Sequence, residues 1–401
     1  MTAPTPSLAA SPLATDPIAE AAQAGERGLV SVIVPCRNEC LHIQPFCDSV
    51  AAQQLPAGWR MEVLIADGQS DDGTRPLLQA RVDADARFVL VDNPGRIVST
   101  GLNRCIARSQ GEFIVRLDVH TVYADDYVAQ CIATWQRTGA DNVGGPWRAQ
   151  APDGPTHAVQ RAVAAAFQSR LVSGGALSRD LAYDGEVDTV YLGAWPRSTF
   201  ARFGGFDERL VRNQDDEHNL RIHRGGGRIW QSASIRSLYC PRAAVGDVFR
   251  QYRQYGYWKP FVMRKHGQAA ALRHLVPGLF VLSLLVLVAM VVLGSVGTAM
   301  LPSLHPLRWP AIWVATLGTG GLLALTLLYG AAVATMCQRI GADLRAQHGG
   351  QVPPERAVST WRHLPDVIAA YHVGYGLGSL RGWWDVLRGR APDPAYGRLT
   401  R

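Results

Sequence analysis

The sequence predicts an α/β fold with a mostly parallel sheet, followed by transmembrane helices. Between residues 28 and 244, short runs rich in β-branched residues alternate with helix-like stretches. This alternation is typical of parallel sheets whose strands are joined by helices. After residue 274 come two long, uncharged apolar stretches of equal length. We therefore expect one sizeable soluble domain followed by a smaller membrane part.

Three strands can be assigned at the start of the soluble domain. The first is VSVIVPC, residues 30–36, an unbroken apolar run typical of a strand buried on both faces. A helix is predicted for residues 38–53, with Asn38 as its cap. The next strands are MEVLIAD, which ends at Asp67, and FVLVDN. Turn residues and helix-like stretches separate the strands. Each strand and the helix that follows it therefore form one βα unit, and the unit repeats along the chain.

The amino-acid composition limits which classes of protein the chain can belong to. The chain has 401 residues, of which 47% are apolar, which is enough for a full core. Residues 1–27 are rich in Ala, Pro, Ser and Thr without a basic and apolar leader, so we expect a flexible tail and no signal peptide. The seven cysteines show no paired CxxC spacing, which argues against a disulfide framework or a structural zinc site.

Two apolar segments are long enough to cross a bilayer. They are residues 275–300 and 311–336, and each exceeds the roughly 20 residues that a span requires. The short loop between them carries only Arg308, whereas basic residues flank the outer ends, so the soluble domain and the tail 337–401 are predicted to be cytoplasmic. Residues 364–380 are apolar but interrupted, which favours a re-entrant or interfacial helix over a third span.

A basic and aromatic segment, residues 245–274, precedes the first span. Basic side chains mixed with tyrosine and tryptophan are typical of an interfacial helix on an anionic leaflet. The same mixture also suits nucleic acid. Because the segment lies next to a membrane span, we favour the membrane and expect no nucleic-acid partner. The basic residues in and beside it are Arg242, Arg250, Arg253, Lys259, Arg264, Lys265 and Arg273.

Two acidic clusters carry the chemistry of the soluble domain. Asp118-Val119-His120 follows the buried-looking run EFIVRL, so its carboxylate is expected at the carboxyl end of a strand, where open α/β sheets bind ligands. Gln214-Asp215-Asp216-Glu217 follows about a hundred residues later. A carboxylate at such an edge suits a phosphate that is bound through a metal ion.

Five segments, taken in order, resemble the successive motifs of family 2 glycosyltransferases with the GT-A fold. Together with the two apolar segments they most resemble the succinoglycan-type glucosyltransferases of bacterial exopolysaccharide assembly, the ExoA-like group. The resemblance covers residues 30–235 and implies a Rossmann-like, nucleotide-sugar-binding domain. The segments are VSVIVPCRNE, EVLIADGQSDDGT, DNPGRIVSTGLNRCIARSQGEFIVRLDVH, LGAWPRSTFARFGGFDE and NQDDEHNLRIHRGGGRIW.

The resemblance implies a site for the donor nucleotide at the strand ends. Residues after the first strand would border the nucleoside, a carboxylate after the second would accept a hydrogen bond from the base, and an arginine would meet the phosphate or the base with its planar fork. The first acid of the family's DxD element would bridge the ribose and a divalent cation. In that order these donor-binding residues are Pro35, Arg37, Glu39, Asp67, Arg96 and Asp118.

The second acid of DxD is replaced by His120 in this chain. The resemblance implies that Asp118 and His120 hold the cofactor, a divalent cation, either Mn²⁺ or Mg²⁺. An imidazole ligates Mn²⁺ but is a poor partner for Mg²⁺, which prefers oxygen. In the alternative interpretation Asp118 only ends a strand and His120 packs under a loop.

An inverting transfer needs a carboxylate that removes the proton of the attacking hydroxyl. The family's acidic dipeptide corresponds to Gln214-Asp215, and we assign Asp215 as this base, with Asp216 as the neighbouring catalytic candidate. Alternatively, these acids only begin a helix, where carboxylates are favoured by the dipole. We expect that alternative to hold for Glu217 and for one of the two aspartates.

The acceptor site is predicted from Gly193, Ala194 and Trp195, which match the family segment that lines the acceptor pocket. Trp195 would be an aromatic platform for a sugar ring, or alternatively a core residue. Arg253 and Trp258 match the QxxRW element of processive synthases imperfectly, and could close over the donor. Two spans make a poor polymer channel, so we expect the addition of a single sugar.

The resemblance thus implies an enzyme, an inverting hexosyltransferase at the inner membrane of a bacterium. The predicted donor is UDP-glucose and the predicted acceptor a lipid-linked oligosaccharide, joined by a β linkage, with membrane lipids and other polysaccharide-assembly proteins as partners. The alternatives are transfer to a polyprenyl phosphate or a glycolipid, a membrane scaffold with a decayed site, and a transporter. Two spans without an intramembrane ionisable residue argue against a transporter.

Overall fold

In the computed structural model, residues 28–152, 155–267, 272–347 and 354–397 are described, and the predicted tail 1–27 lies outside them. The chain divides into two compact units. Within the described residues, unit 1 comprises 28–152 and 175–241, and unit 2 comprises 155–174 and the residues from 242 onward. The soluble domain was predicted as continuous from 28 to 244. The structure differs in that residues 155–174 belong to unit 2.

Unit 1 contains a mixed, mostly parallel sheet. Its eight strands lie in the order β3-β2-β1-β4-β8-β6-β9-β7, and a two-stranded sheet pairs β10 with β5. Strands β4 and β8 are antiparallel neighbours, as are β6 and β8. The strands are β1 Gly28–Cys36, β2 Trp59–Asp67, β3 Phe88–Asp92, β4 Phe113–Arg116, β5 Thr121–Tyr123, β6 Asn142–Gly145, β7 Gly185–Glu186, β8 Tyr191–Pro196, β9 Ile229–Gln231 and β10 Ser237–Tyr239.

The helices of the described residues fall into both units. Helices α5 and α8 to α11 belong to unit 2, and the others to unit 1. The helices are α1 Ile43–Ala51, α2 Thr74–Ala84, α3 Val98–Arg108, α4 Tyr127–Thr138, α5 Ala158–Gln168, α6 Arg197–Phe203, α7 Gln214–Arg224, α8 Val245–His266, α9 Val276–Met300, α10 Arg308–Gln347 and α11 Pro354–Leu387.

The prediction that α1 begins at Asn38 is wrong. The helix begins at Ile43, and Asn38 has a left-handed φ of 55°. Its side chain bonds the next loop instead: Nδ2 donates to Asp71 Oδ1 at 2.9 Å, and Asp71 N–H donates to Asn38 Oδ1 at 3.1 Å. Because this amide is engaged across two loops, it does not cap the helix that follows.

Apolar residues cover both faces of the sheet because the central strands β1 and β4 are apolar at most positions. Val32 and Val115 belong to a core with α1 and α4 on one face, whereas Ile33 and Ile114 belong to a core with α3, α6 and α7 on the other. Alternation along β4 places Arg116 on the same face as Ile114. This face is the one that α7 covers.

Strand β8 runs against its neighbours and contains a bulge. The pairing of β6 and β8 shifts register between Val143 and Gly145. At the bulge Leu192 and Gly193 have φ values of 63° and 102°. A bulky residue in this left-handed region is an outlier whose strain the surrounding structure must sustain. The bulge therefore fixes the start of β8, where Tyr191 lies.

Unit 2 packs α8 closely against α11. Three glycines of α11 at a spacing of four residues, Gly374, Gly378 and Gly382, face backbone atoms of α8, and a Cβ at Gly378 would overlap the carbonyl oxygen of Arg253. Small residues at this spacing let two helix backbones approach each other. The contact explains why the sequence of α11 is interrupted by glycine.

Two helices of unit 2 are long and apolar enough to span a membrane, residues 272–300 and 308–346, and most of their side chains are exposed in the protein alone. Their positions agree with the two predicted spans. The predicted re-entrant segment 364–380 is not a separate turn: α11 runs through it as one helix from Pro354 to Leu387. An interfacial position of α11 stays a prediction.

The predicted interfacial segment begins with α8, but its aromatic residues are not all directed outward. Tyr257 and Trp258 are buried inside unit 2. The ring of Tyr257 stacks on Tyr396 with centroids 3.9 Å apart, and Trp258 Nε1 donates to the Tyr396 carbonyl at 3.0 Å. These two side chains therefore hold the carboxyl-terminal segment on α8 instead of anchoring a lipid surface.

Candidate active site

The predicted donor residues gather at the edge of the sheet where the parallel strands end. Cys36 is paired with Asp67, and Asp67 with Asp92, so β1, β2 and β3 stop level with one another. Pro35 and Arg37 are partly exposed there, and Glu39 is buried. Carboxyl ends of adjacent parallel strands are the usual ligand edge of an open sheet.

Two loops of this edge are tied together by hydrogen bonds. The backbone N–H of Glu39 donates to Thr74 Oγ1 at 2.7 Å, and that of Cys40 to Asp72 Oδ2 at 3.0 Å. Burial alone would raise the pKa of Asp72, but bonds from Thr74 and Cys40 outweigh it and hold the pKa well below its usual range. An ionised Asp72 thus fastens the loop after β1 to the start of α2.

Asp67 is fully buried and is held by an arginine that sequence analysis did not single out. Arg75 Nη1 donates to Asp67 Oδ2 at 3.0 Å, and Arg75 Nη2 pairs with Asp92 Oδ1 at 2.6 Å. The backbone N–H of Ser70 also donates to Asp67. In this structure Asp67 is an anchor of the loop, and its contact with a nucleobase stays a prediction.

Arg96 lies in the loop after β3 and forms a hydrogen bond with a glutamine in the loop after β2. Arg96 Nε donates to Gln69 Oε1 at 2.6 Å, and both residues have left-handed φ values, 58° and 57°. Both side chains are exposed. Non-glycine residues in this region are often found at functional sites. Gln69, which the sequence analysis did not single out, therefore joins Arg96 as a candidate donor-site residue.

Asp118 lies two residues beyond the end of β4 and is held by Arg116, the last residue of that strand. Arg116 Nε donates to Asp118 Oδ1 at 3.0 Å and Nη2 donates to Oδ2 at 3.1 Å, which is a bidentate pair. The Arg116 side chain is 7% exposed and that of Asp118 is 15% exposed. Tyr123 holds the Asp118 backbone as well, so the carboxylate has little freedom to rotate.

The side chains of Asp118 and His120 fit a cation that is shared with phosphate. A carboxylate oxygen has two acceptor directions, so the single guanidinium N–H on each Asp118 oxygen does not by itself exclude a cation. His120 is exposed, with its ring edge-on to Tyr239 at 6.4 Å. Among the described residues no group of three or more metal-ligating side chains is found. Such a two-residue set suits an ion that takes its other ligands from substrate phosphates and water.

Asp215 lies in the first turn of α7, next to Asp216. Asp216 N–H donates to Asp215 Oδ1 at 2.9 Å. Burial lowers the pKa of Arg116, but the charges of Asp118 and then of Asp215 raise it above its usual value. The charge of this guanidinium is therefore stabilised by carboxylates from both predicted catalytic clusters, which lie about a hundred residues apart in the sequence.

Glu217 has a structural role, as predicted, but through an ion pair. It is fully buried, and Arg221 Nη2 donates to Glu217 Oε2 at 2.8 Å. Arg221 also donates to the carbonyl oxygens of Phe203 and Gly205. This network fixes α7 to the turn after α6. It thereby helps to position Asp215 and Asp216.

Trp195 is a core residue in this structure and not a platform for a sugar. It is 1% exposed, and its ring packs against Phe200, Phe206 and His218. The cause is the direction of β8: Trp195 is opposite Ile114, away from the ligand edge where β4 ends. Gly193 and Ala194 lie within the same strand and are also covered, so they line no open pocket here.

The residue of β8 that does lie at the ligand edge is Tyr191. Its hydroxyl forms a 2.8 Å hydrogen bond with Thr121 Oγ1, and its ring stacks on Trp147 at 4.8 Å. Burial and then the charge of Asp118 raise the pKa of Tyr191. The acceptor residues were predicted from a match to a family segment, which does not tell which end of β8 lies at the ligand edge, and the core alternative for Trp195 agrees with its burial.

Arg253 and Trp258 lie in unit 2. Trp258 is buried, and the guanidinium of Arg253 lies 5.0 Å from the ring centroid of Tyr396. Both residues therefore contact the segment around Tyr396 within this unit. Their predicted closure over the donor stays a prediction.

The sequence is similar to proteins of known role. The chain is 32% identical over 248 residues to the succinoglycan biosynthesis protein ExoA of Rhizobium meliloti, covering 61% of this chain and 73% of that protein. It is 26% identical over 246 residues to a dolichyl N-acetyl-α-D-glucosaminyl phosphate 3-β-D-2,3-diacetamido-2,3-dideoxy-β-D-glucuronosyltransferase of Methanococcus voltae, covering 59% of this chain and 74% of that protein.

One solved structure with a similar chain path is the mannosyltransferase PcManGT from Pyrobaculum calidifontis in complex with GDP-Man and Mn²⁺, with 17% identity and a TM-score of 0.48, covering 90% of this chain and 88% of that chain. The model of Glycosyl transferase family 2 matches residues 31–173, which include most of β1, all of β2 to β4, and Asp118. With this match, and a relative 32% identical that the chain covers over 73% of its length, the protein belongs to the family 2 glycosyltransferases.

Proposed function

We propose that this glycosyltransferase transfers a hexose, glucose from UDP-glucose, to a lipid-linked oligosaccharide during exopolysaccharide synthesis. The observation that supports it is the shared environment of Asp118 and Asp215 at the ligand edge, where one buried arginine pairs with the first and feels the charge of the second. The similarity to a succinoglycan biosynthesis protein supports the class of product.

The residues of unit 1 would divide the reaction between donor and acceptor. The loops around Arg37, Glu39 and Arg96 bind the nucleoside diphosphate. Asp215 removes the proton of the acceptor hydroxyl, whose oxygen forms the new bond to the anomeric carbon as the bond to the diphosphate breaks. Attack from the face opposite the leaving group converts an α-linked donor into a β-linked product.

Charge builds up on the departing diphosphate, so the donor side of the site needs positive charge. A divalent cation, Mn²⁺ or Mg²⁺, held by Asp118 and His120 together with the diphosphate, would supply it when bound. Since His120 is a nitrogen ligand, we expect Mn²⁺ to be preferred. Arg116 keeps the Asp118 carboxylate in one orientation for this contact.

The two apolar helices support a location at a membrane. Helices α9 and α10 expose large apolar side chains along their length, which lipid would cover. We propose that the protein is a multi-pass protein of a bacterial inner membrane with its catalytic domain in the cytoplasm, as the flanking positive charges indicate. A membrane lipid is then the carrier of the acceptor, and other polysaccharide-assembly proteins are its partners.

A second candidate acceptor is a polyprenyl phosphate or a glycolipid. The relative in Methanococcus voltae is named for transfer to a dolichyl phosphate-linked sugar, which supports a lipid carrier but a different class of glycan. Acceptor trials would separate the two. An enzyme for oligosaccharides requires a sugar hydroxyl, whereas a polyprenyl phosphate synthase uses the bare lipid phosphate.

The full chain, purified in detergent, would be incubated with UDP-, GDP- and dTDP-sugars and with Mn²⁺ or Mg²⁺, with and without a membrane lipid extract. We expect the release of nucleoside diphosphate from UDP-glucose, and its loss in Asp215→Asn. The matched control is Asp83→Asn, which removes an exposed acid of α2. Nucleotide binding without turnover in the presence of lipid extract would instead support a scaffold with a decayed site.

A further inference from the structure

Arg116 stands out among the buried charged residues of unit 1. It is 6% exposed although it lies in the central strand β4, between β1 and β8. A buried guanidinium is costly unless it is paired and hydrogen-bonded. Nε and Nη2 are both used by Asp118. The third nitrogen, Nη1, is buried and has no hydrogen-bond partner within the described ranges.

The position of Arg116 on the sheet directs it to the helix that carries the proposed base. Side chains alternate along a strand, so Arg116 lies on the face of Ile114, within the core that also contains Ile222 of α7. Asp215 is in the first turn of that helix. Its charge is the second of the two carboxylate charges that act on the guanidinium. Strand and helix thus place Asp118 in contact with Arg116 and Asp215 within the range of its charge.

The shape of the side chain suits two carboxylates at once. A guanidinium presents its N–H groups in a planar fork, so that one edge can hold a carboxylate while another nitrogen remains for a second. Nε and Nη2 form the occupied edge, and Nη1 is the nitrogen that remains. A lysine ammonium in the same place supplies the charge but not the fork.

We propose that Arg116 is a positioning residue that couples the donor side of the active site to its base. It orients Asp118 through Nε and Nη2, and presents Nη1 to the carboxylate of Asp215 when the substrates are bound. The two acids are thereby held at a fixed separation across the reacting atoms. This role rests on the proposed function, because it assigns the donor contact to Asp118 and the base to Asp215.

The test compares Arg116→Lys and Arg116→Met with Arg202→Lys in the full chain. Arg202 is a suitable control because it also pairs with an aspartate, Asp141 at 3.2 Å, but is half-exposed and lies outside the site. For Arg116→Lys we expect kcat to fall about 100-fold, as for a reacting group displaced by about 1 Å. Arg202→Lys should keep kcat within twofold of the unaltered protein.

A second readout does not depend on turnover. Titration with UDP in the presence of Mn²⁺ should show affinity about 10-fold weaker in Arg116→Lys, because removing the partner of a metal-binding carboxylate typically weakens binding by that order. Titration with UDP alone should change little. Thermal unfolding of each variant shows whether it is folded, and Arg116→Lys keeps the buried positive charge in case Arg116→Met does not fold.

The decisive measurement is a double-mutant cycle between Arg116→Lys and Asp215→Asn. Coupled residues give non-additive losses, so the double variant should lose less activity than the product of the two single losses. Losses that multiply, or a fully active Arg116→Lys, would overturn the positioning role. Absence of turnover in the unaltered protein would instead count against the proposed function, and the Mn²⁺-UDP titration then still reports on Arg116.

Discussion

The hydroxyl of Tyr123 closes a ring of two hydrogen bonds with the backbone of Asp118. It accepts from the Asp118 N–H at 2.7 Å and donates to the Asp118 carbonyl oxygen at 3.0 Å. Tyr123 is buried, and burial together with the charge of Asp118 raises the pKa of its hydroxyl well above the usual value, so it stays protonated. The peptide groups that flank the proposed metal-binding carboxylate are therefore fixed by a side chain five residues away.

Tyr123→Phe is expected to destabilise the protein by about 1–3 kcal/mol, because the part-buried Asp118 N–H loses the hydroxyl that accepts from it, although the Asp118 carbonyl oxygen keeps its bond from the Thr121 N–H at 3.1 Å. It should also weaken the binding of Mn²⁺-UDP, since Asp118 gains freedom. Thermal unfolding and titration calorimetry measure the two effects. Tyr127→Phe is the matched control, since Tyr127 is equally buried but makes neither of these bonds. Equal losses in both variants would contradict the prediction.

Asp215→Asn and Asp216→Asn should differ in kcat. Loss of a general base typically costs about 10²–10⁴-fold in rate, and we expect this from Asp215→Asn. Asp216 bonds Asp215 through its backbone N–H, which the substitution of its side chain leaves in place. Steady-state kinetics with saturating donor would show a loss of less than about tenfold for Asp216→Asn. The reverse order would move the base to Asp216.

Acidification should destabilise unit 1 through His218. Burial, and then the charge of Arg221, lower its pKa from 6.5 to about 4. The folded state thus holds His218 neutral, whereas the unfolded state takes up a proton below pH 6.5. Stability is therefore complete above pH 6.5 and is lost as the pH falls towards 4, by about 1.4 kcal/mol per pH unit.

Thermal unfolding between pH 7.5 and 4.5 measures this loss. We expect a smaller slope in His218→Gln, whose amide can still donate to the Gly204 carbonyl oxygen that His218 Nε2 contacts at 3.0 Å. His223→Gln, on the same helix but exposed, should keep the slope of the unaltered protein. An unchanged slope in His218→Gln would show that other groups cause the pH dependence.

Gly378→Ala should destabilise unit 2 by about 1–3 kcal/mol, the usual cost of overpacking. The added Cβ would overlap the carbonyl oxygen of Arg253 and would lie 2.9 Å from the backbone nitrogen of Tyr257. Gly330→Ala is the control, because a Cβ there meets nothing within 4 Å and alanine favours a helix. Thermal unfolding in detergent should separate the variants; equal midpoints would show that α8 and α11 tolerate a wider spacing.

The first four strands were predictable because each is a run of mostly β-branched and apolar residues, whereas short strands such as β6 and β7 carry no such run. The start of α1 at Ile43 was not predictable, because the side chain of Asn38, the expected cap, instead bonds Asp71, 33 residues away. The sequence also did not show that residues 155–174, which lie inside the predicted soluble domain, belong to unit 2. Helix α5 has an ordinary amphipathic pattern. Such a pattern shows that one face of the helix is buried, but not which other element of the protein covers that face.

The acidic candidates of the site are visible in the sequence, but the residues that support them are not. Asp118 and Asp215 were selected by motif order and their roles stay predictions, whereas the motif match left open whether Trp195 is a sugar platform or a core residue, and its burial makes it core. Arg116 was overlooked as part of the strand EFIVRL. The available signal was an arginine inside an apolar strand, two residues before an acid and thus on the same face.

The reversed direction of β8 has a consequence for how the chain can diversify. Residues 187–190 enter β8 at the ligand edge, and the segment after Gly145 leaves β6 at the same edge, because β6 and β8 are antiparallel. The two connections are not equally free to change, because Val187 and Val190 are buried in the core and the Val187 N–H bonds the Ile229 carbonyl oxygen of β9. A new glycan specificity is therefore expected to arise from changes in the segment after Gly145, while strands β1 to β4 keep their register.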